Sequence, residues 1–267
     1  MRIGLIAGSG QFPIIFSRKA QRKGYAVFAV AYPNETDPQL EHCVETITWL
    51  HLGQINRLIK FFKNNDVREA VMLGAVTKTR LFTDVKPDVR AISLVAGLRH
   101  THDDGLLRAF AGMLEKEGIF IRSSTFLLPE LLAPEGCWTK RKPSRSEDSD
   151  IALGWPLAKE IGRLDIGQCI VVGGGSVLAV EAVDGTDETI RRGGNLGKGE
   201  AVVIKVCKPN QDTRFDIPAV GAQTIQVMAE AGARVLAVEA EKAVVFDREE
   251  MTALADAHGI SIVARKN

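Results

Sequence analysis

Short apolar runs alternate with stretches of helical periodicity along most of the chain. Residues 2–7 form an apolar run ending in Gly8-Ser9-Gly10-Gln11; Ile14, Ile15 and Ala20 then follow at helical spacing, with Pro13 in the first turn and Gly24 as a stop. Residues 25–31 read as the next strand, which completes a β-α-β opening. Ile55, Leu58, Ile59 and Phe62 mark an amphipathic helix over 53–63, and 70–74 reads as a buried strand. A helix is expected near 91–98, and another carries Leu106, Leu107, Phe110, Met113 and Leu114, with a strand after it at 119–123. Residues 133–147 are rich in Pro, Ser and charge and poor in periodic apolar positions, which reads as a linker.

The second half opens with a helix over 151–164. Two strands, 169–172 and 177–183, are then joined through Gly173-Gly174-Gly175 as a hairpin. Thr186 suits the cap of a helix with Asp187 and Glu188 in its first turn and Arg191 and Arg192 in its last, stopping at Gly193-Gly194. Strands at 201–206, 234–239, 243–246 and 260–264 alternate with helices at 221–231 and 248–258. The expected fold class is α/β: an N-terminal Rossmann-like βα domain over 1–132, the linker 133–147, and a mixed α/β domain over 148–267 that carries the polar loop described below.

Composition narrows the function classes. Hydrophobic content of 45% and charged content of 25% describe an ordinary folded soluble protein, and a net charge of +1 gives no global case for nucleic acid. Cys43, Cys137, Cys169 and Cys207 are far apart and show no metal-ligand spacing, so they read as reduced thiols in a cytosolic protein. The N-terminal apolar run is too short for a signal peptide, and no window reaches the roughly 18 apolar residues of a membrane span, so a cytoplasmic location is expected.

Candidate chemistry concentrates in four places. The glycine turn Gly8-x-Gly10-x-x-Pro13 puts backbone N–H groups and a helix start at the end of the first strand, a seat for an anion such as phosphate. It matches the dinucleotide fingerprint only in part, because proline stands for the third glycine and no acidic residue closes the second strand. In His100-Thr101-His102-Asp103-Asp104, the aspartates suit a helix cap, and two histidines without a third ligand are weak evidence for a metal. Arg191 and Arg192 suit the helix dipole and equally suit phosphate. The loop within 205–224 is punctuated by Pro209 and Pro218 and holds Lys205, Lys208, Gln211, Asp212, Arg214 and Asp216. It is either a solvated surface loop or the metal-and-phosphate side of a site.

These motifs are specific enough to carry a family resemblance. Ile6-Ala-Gly-Ser-Gly-Gln-Phe-Pro13, Asp103-Asp104-x-Leu106-Leu107, Val177-Leu-Ala-Val-Glu-Ala182, Gly185-Thr-Asp187, Ile190-Arg-Arg192 and the loop through Pro218 and Gly221 resemble the LpxI-type UDP-2,3-diacylglucosamine pyrophosphatases of lipid A biosynthesis, end to end. Asp184 departs from the Glu that the family pattern favours before Gly-Thr-Asp, and keeps the charge. The resemblance implies a two-domain enzyme with its site between the halves. It further implies magnesium-dependent hydrolysis of UDP-2,3-diacylglucosamine to UMP and 2,3-diacylglucosamine 1-phosphate, by water attack on the alpha phosphorus.

On this reading Asp212 and Asp216 bind Mg2+ and the attacking water, with Asp187 the third carboxylate. Lys208, Arg214, Arg191 and Arg192 stabilise diphosphate charge, and Gln211 orients water or ribose. Gly8, Ser9, Gly10 and Gln11 contact the nucleotide, while Thr186, Asp103 and Asp104 are further substrate contacts. The resemblance also implies a homodimer, and the diacyl substrate implies transient peripheral contact with the inner membrane. Two rivals use the glycine turn without the second-half cluster: a nucleotide-binding regulatory protein without turnover, and a dinucleotide-dependent oxidoreductase.

Overall fold

The computed structural model describes residues 1–75, 85–96, 103–209, 212–215 and 217–266. Within them the chain divides into two units. One contains Met1–Pro129 together with Asp212–Asp216, and the other contains Glu130–Gln211 and Ile217–Asn267.

The first unit is β1 (Arg2–Ala7), α1 (Phe12–Arg22), β2 (Ala26–Ala31), β3 (Thr46–Trp49), α2 (Ile55–Asn64), β4 (Glu69–Leu73), α3 (Val89–Ala96), α4 (Asp103–Lys116) and β5 (Phe120–Ile121). Its five strands form one parallel sheet in the order β3-β2-β1-β4-β5. Continuous apolar runs such as Ile3, Leu5, Ile6 and Ala7 suit strands covered on both faces. One face is packed by Leu58, Ile59 and Phe62 of α2 and by Ala111 and Leu114 of α4. The strand order reverses between β1 and β4, and in open parallel sheets ligands bind outside the carboxyl ends of the strands at such a point.

The second unit is β6 (Gly136–Cys137), α5 (Arg145–Arg163), β7 (Cys169–Gly173), β8 (Ser176–Val180), α6 (Thr186–Gly197), β9 (Ala201–Lys205), β10 (Ala219–Val220), α7 (Ala222–Ala231), β11 (Ala233–Glu239), β12 (Val244–Val245), α8 (Arg248–Ala257) and β13 (Ser261–Arg265). Its main sheet is mixed, in the order β6-β13-β11-β9-β7-β8. The pairs β13/β11 and β11/β9 are parallel, and the rest are antiparallel. α6, α7 and α8 cover one face and α5 the other.

Two local readings of the sequence change here. The stretch 133–147, which composition reads as a linker, belongs to the second unit. β6 pairs with β13, Trp138 N–H donates to Ile262 O at 3.0 Å, and Ser144 with Glu147 forms a capping box that starts α5 six residues before position 151.

α6 does not stop at Gly193-Gly194 but runs on to Gly197, so Arg191 and Arg192 sit in mid-helix rather than in a last turn. Both glycines are close-packing positions. A Cβ on Gly193 would lie 2.4 Å from Val171 Cβ, and one on Gly194 would lie 2.6 Å from both Cβ and the carbonyl oxygen of Ala231. Alanine normally gains about 1 kcal/mol over glycine in a helix. Overpacking against backbone costs about 1–3 kcal/mol, so the clash wins at this site. Gly194→Ala is therefore expected to lower the melting temperature; an unchanged or raised value in a thermal melt contradicts the packing described.

Candidate functional site

The turn after β1 is tied to the end of β4 rather than left open. Gly8 N–H donates to Leu73 O and Ser9 N–H to Ala75 O, each at 2.8 Å, and Ser9 Oγ also donates to Ala75 O at 2.9 Å. A Cβ on Gly8 would lie 2.4 Å from Ala75 O, so glycine here answers to a close approach of two backbones. Two N–H groups that sequence assigns to an anion seat are thus engaged within the protein. Gly10 has φ of +88°, and Gln11 is the N-cap of α1 without a side-chain cap bond.

The polar loop supplies a second constellation in the same unit. Arg214 Nε donates to Asp212 Oδ1 at 3.0 Å and Nη2 to Oδ2 at 2.8 Å, a two-point fork. Arg214 Nη1 donates to Glu115 Oε1 on α4 at 2.9 Å, and the guanidinium carbon stands 4.9 Å from the centroid of the Phe215 ring. Arg108 Nε lies 3.7 Å from Asp212 Oδ2. Thr213 O accepts from Ser124 N–H at 3.1 Å, and Phe215 packs against the unit's core. Segment 212–215 is therefore fixed by backbone, ion pair and apolar contact in the first unit, although sequence assigns its loop to the second half.

The hydrogen bond from Arg214 holds the Asp212 carboxyl below the ordinary carboxylate range, with Arg108 adding to the effect. Both Asp212 oxygens face guanidinium, so as placed here Asp212 does not fit the role of a magnesium ligand. No cluster of three or more His, Cys, Asp or Glu suited to a metal occurs among the described residues. Gln211, Asp216, His100 and His102, and the side chains of Asp103 and Asp104, lie outside the described residues.

The remaining candidates belong to the second unit. Thr186 opens α6, and its hydroxyl donates to Glu181 Oε1 at 2.7 Å. Glu181 Oε2 accepts from Gln168 N–H at 2.9 Å, so one buried carboxylate ties β8 to the start of α6. Asp187 follows in the first helical turn, where negative charge is favoured. Arg192 Nη2 donates to Asp184 Oδ2 at 2.7 Å and Arg191 lies 3.7 Å from Glu188, so each arginine has a carboxylate partner. Lys208 Nζ donates to Asp165 Oδ1 at 2.6 Å. Cys169, beside Lys205 in the sheet register, is no thiolate nucleophile. Burial first, and then the charges of Glu181 and Asp187, push its thiol up against the pull of Lys205.

Three residues that sequence reasoning missed stand at the root of the loop. Glu239 Oε2 accepts from Lys159 Nζ at 2.5 Å and from Cys207 N–H at 3.0 Å, while Lys159 Nζ also donates to Cys207 O at 2.8 Å. Lys242 Nζ donates to Glu239 Oε1 at 2.9 Å. Burial alone would raise the Glu239 carboxyl, but the bonds from Lys159, Lys242 and Cys207 N–H outweigh it and hold it below its ordinary value. The signal available in sequence is a charged residue closing an otherwise apolar strand run.

A parallel βαβ unit joined to a mixed α/β unit, each with cation–carboxylate pairs, defines the class: a two-unit mixed α/β protein. Residues 2–131 match the model of the LpxI N-terminal domain and residues 134–263 that of the LpxI C-terminal domain. The chain belongs to the LpxI family. It is 33% identical over 273 residues to the UDP-2,3-diacylglucosamine pyrophosphatase LpxI of Caulobacter vibrioides, covering 98% of this chain and 96% of that protein. Among solved structures, the biotin carboxylase domain of the Hydrogenobacter thermophilus 2-oxoglutarate carboxylase is 11% identical with a TM-score of 0.28, over 65% of this chain and 35% of that one. A transformylase from Mycobacterium tuberculosis is 16% identical with a TM-score of 0.26, over 68% and 44%. The chain thus spans less than half of either, and likenesses of that size carry no conclusion. No helix among the described residues is long and apolar enough to cross a membrane.

Proposed function

We propose that the chain hydrolyses UDP-2,3-diacylglucosamine to UMP and 2,3-diacylglucosamine 1-phosphate. The observation that carries this reading is its likeness, across nearly the full length of both chains, to a relative bearing that activity as its name. In the reaction a water oxygen forms a bond to phosphorus, the phosphoric anhydride bond breaks, and the water proton passes to solvent or buffer. Negative charge accumulates on the transferred phosphoryl oxygens, so fixed cations are the groups that lower the barrier.

Arg214 is the cation best held for this. Asp212 and Glu115 take three of its N–H groups, and among the described residues two of the five guanidinium hydrogens remain for a phosphate oxygen. Lys208, Arg191 and Arg192 are further diphosphate contacts, Asp187 is a further carboxylate of the site, and Gly10 and Gln11 face the nucleotide. Magnesium, which the family resemblance implies, is not routed through Asp212 here, because Arg214 already occupies both of its oxygens.

The test is UMP release from UDP-2,3-diacylglucosamine in water labelled with heavy oxygen. Turnover is expected, and its absence in folded protein overturns the proposal. Attack at the alpha phosphorus leaves the label in UMP, and label in 2,3-diacylglucosamine 1-phosphate places the attack at the beta phosphorus. Magnesium dependence is checked in the same assay: EDTA is expected to stop turnover and added magnesium to restore it.

A further inference from the structure

We propose that Glu239 is a positioning residue for Lys208, acting through the backbone of Cys207. The inference rests on the reading of Lys208 as a diphosphate contact. Glu239 closes β11 and is 1% exposed. It reaches Lys208 through one residue. Glu239 Oε2 takes the Cys207 N–H at 3.0 Å, and its ion-pair partner Lys159, on α5, takes the Cys207 carbonyl at 2.8 Å. Both main-chain polar groups of Cys207 are thus gripped by one buried ion pair, with Lys242 holding the other oxygen of Glu239.

The neighbouring contacts point the same way. Lys208 follows directly, and its ammonium is held by Asp165 at 2.6 Å, just beyond the end of α5. Gly162 of α5 lets the backbone of residue 208 approach, since a Cβ there would lie 3.3 Å from Lys208 Cα. Fixing both peptide groups of Cys207 sets the direction in which the chain presents Lys208.

A stability role alone is a weak explanation for the pair. Buried ion pairs seldom outperform well-packed apolar residues, because desolvation offsets most of the Coulomb attraction. What an apolar pair cannot do is hold one N–H and one carbonyl of the same residue at once. The grip on Cys207 is the part of this cluster that requires charge and hydrogen bonding.

The experiment is a double-mutant cycle on the full chain, reading kcat and KM for UDP-2,3-diacylglucosamine beside a thermal melt. Lys208→Ala is expected to lower kcat/KM by about tenfold or more. Glu239→Gln keeps the side-chain shape but not the charge, and is expected to cost about tenfold as well. In the Lys208→Ala background, Glu239→Gln should add no more than about twofold, because the residue it positions is gone, while its effect on melting temperature persists. Where Glu239→Gln does not fold, Lys159→Gln enters the same cycle. Full multiplication of the two kinetic effects assigns Glu239 a merely structural role and overturns the proposal. So does a folded Glu239→Gln protein with undiminished kcat/KM while Lys208→Ala is impaired. Undiminished kcat/KM in Lys208→Ala instead removes the reading of Lys208 as a diphosphate contact, and the positioning role with it.

Discussion

Arg214→Ala is expected to lower UMP release from UDP-2,3-diacylglucosamine by about 100-fold or more, and Asp212→Ala by a similar factor. Removing one preorganised donor aimed at developing charge costs about 100- to 1,000-fold in other enzymes. Asp212 acts on the same cation: without its two-point fork, Arg214 keeps, among the described residues, Glu115 and the Phe215 ring to hold its plane. For Asp212→Ala the effect should fall mainly on kcat, since a misplaced guanidinium still attracts a diphosphate. Folding must be checked beside it, because segment 212–215 is also an anchor in the first unit. If both variants remain folded and retain near-wild-type turnover, the assignment of this loop to the chemistry is wrong.

The electrostatics of the pair add a pH condition to that result. The folded-state pKa of Asp212 is depressed by Arg214, so the pair's contribution is present above the unfolded carboxylate pKa and is lost as pH falls through the folded value. Both partners stay charged across neutral pH. The activity profile there should owe nothing to titration of Asp212.

Glu239→Ala is expected to give the largest loss of stability, about 3–5 kcal/mol, because it leaves the mostly buried Lys159 ammonium without its counter-ion. The Cys207 N–H loses its acceptor in the same step. Chemical denaturation followed by tryptophan fluorescence measures it. The surface pair Arg163–Glu160, more than half exposed on both sides, is the control, and its removal should change stability by no more than about 0.5 kcal/mol. A Glu239→Ala loss no larger than the control's would contradict the burial described. The sign with pH follows from the depressed Glu239 carboxyl: its stabilisation holds above the unfolded carboxylate pKa and disappears as pH falls through the folded value.

The alternation of apolar runs and helical periodicity made most elements legible before any tertiary information. Strand 201–206 appears as Ala201–Lys205, helix 221–231 as Ala222–Ala231, and the last strand, 260–264, as Ser261–Arg265. Local chemistry sufficed there because each element's apolar face can be read at a period of two or 3.6 residues. The glycines were harder. Gly193 and Gly194 look like a helix stop, since glycine lacks helix propensity, and only their approach to Val171 and Ala231 explains glycine inside a continuing helix. The capping box Ser144–Glu147 was written in the sequence, but the surrounding Pro, Ser and charge hid it.

For the candidate site, the sequence by itself determined which residue types are available: the cations and carboxylates of the loop, the turn at Gly8, and the start of α6. It also carried the family, because long unusual motifs outlast divergence that erases individual contacts. Only the tertiary structure decided which charges are already spent on each other. Asp212 with Arg214 could be suspected from a spacing of two. Arg214 with Glu115, Lys159 with Glu239 and Glu239 with Cys207 join positions 99, 80 and 32 residues apart. Periodicity reports only which face of an element is buried. Which distant charge meets that face depends on strand order and helix packing, and those exist only once the chain has folded.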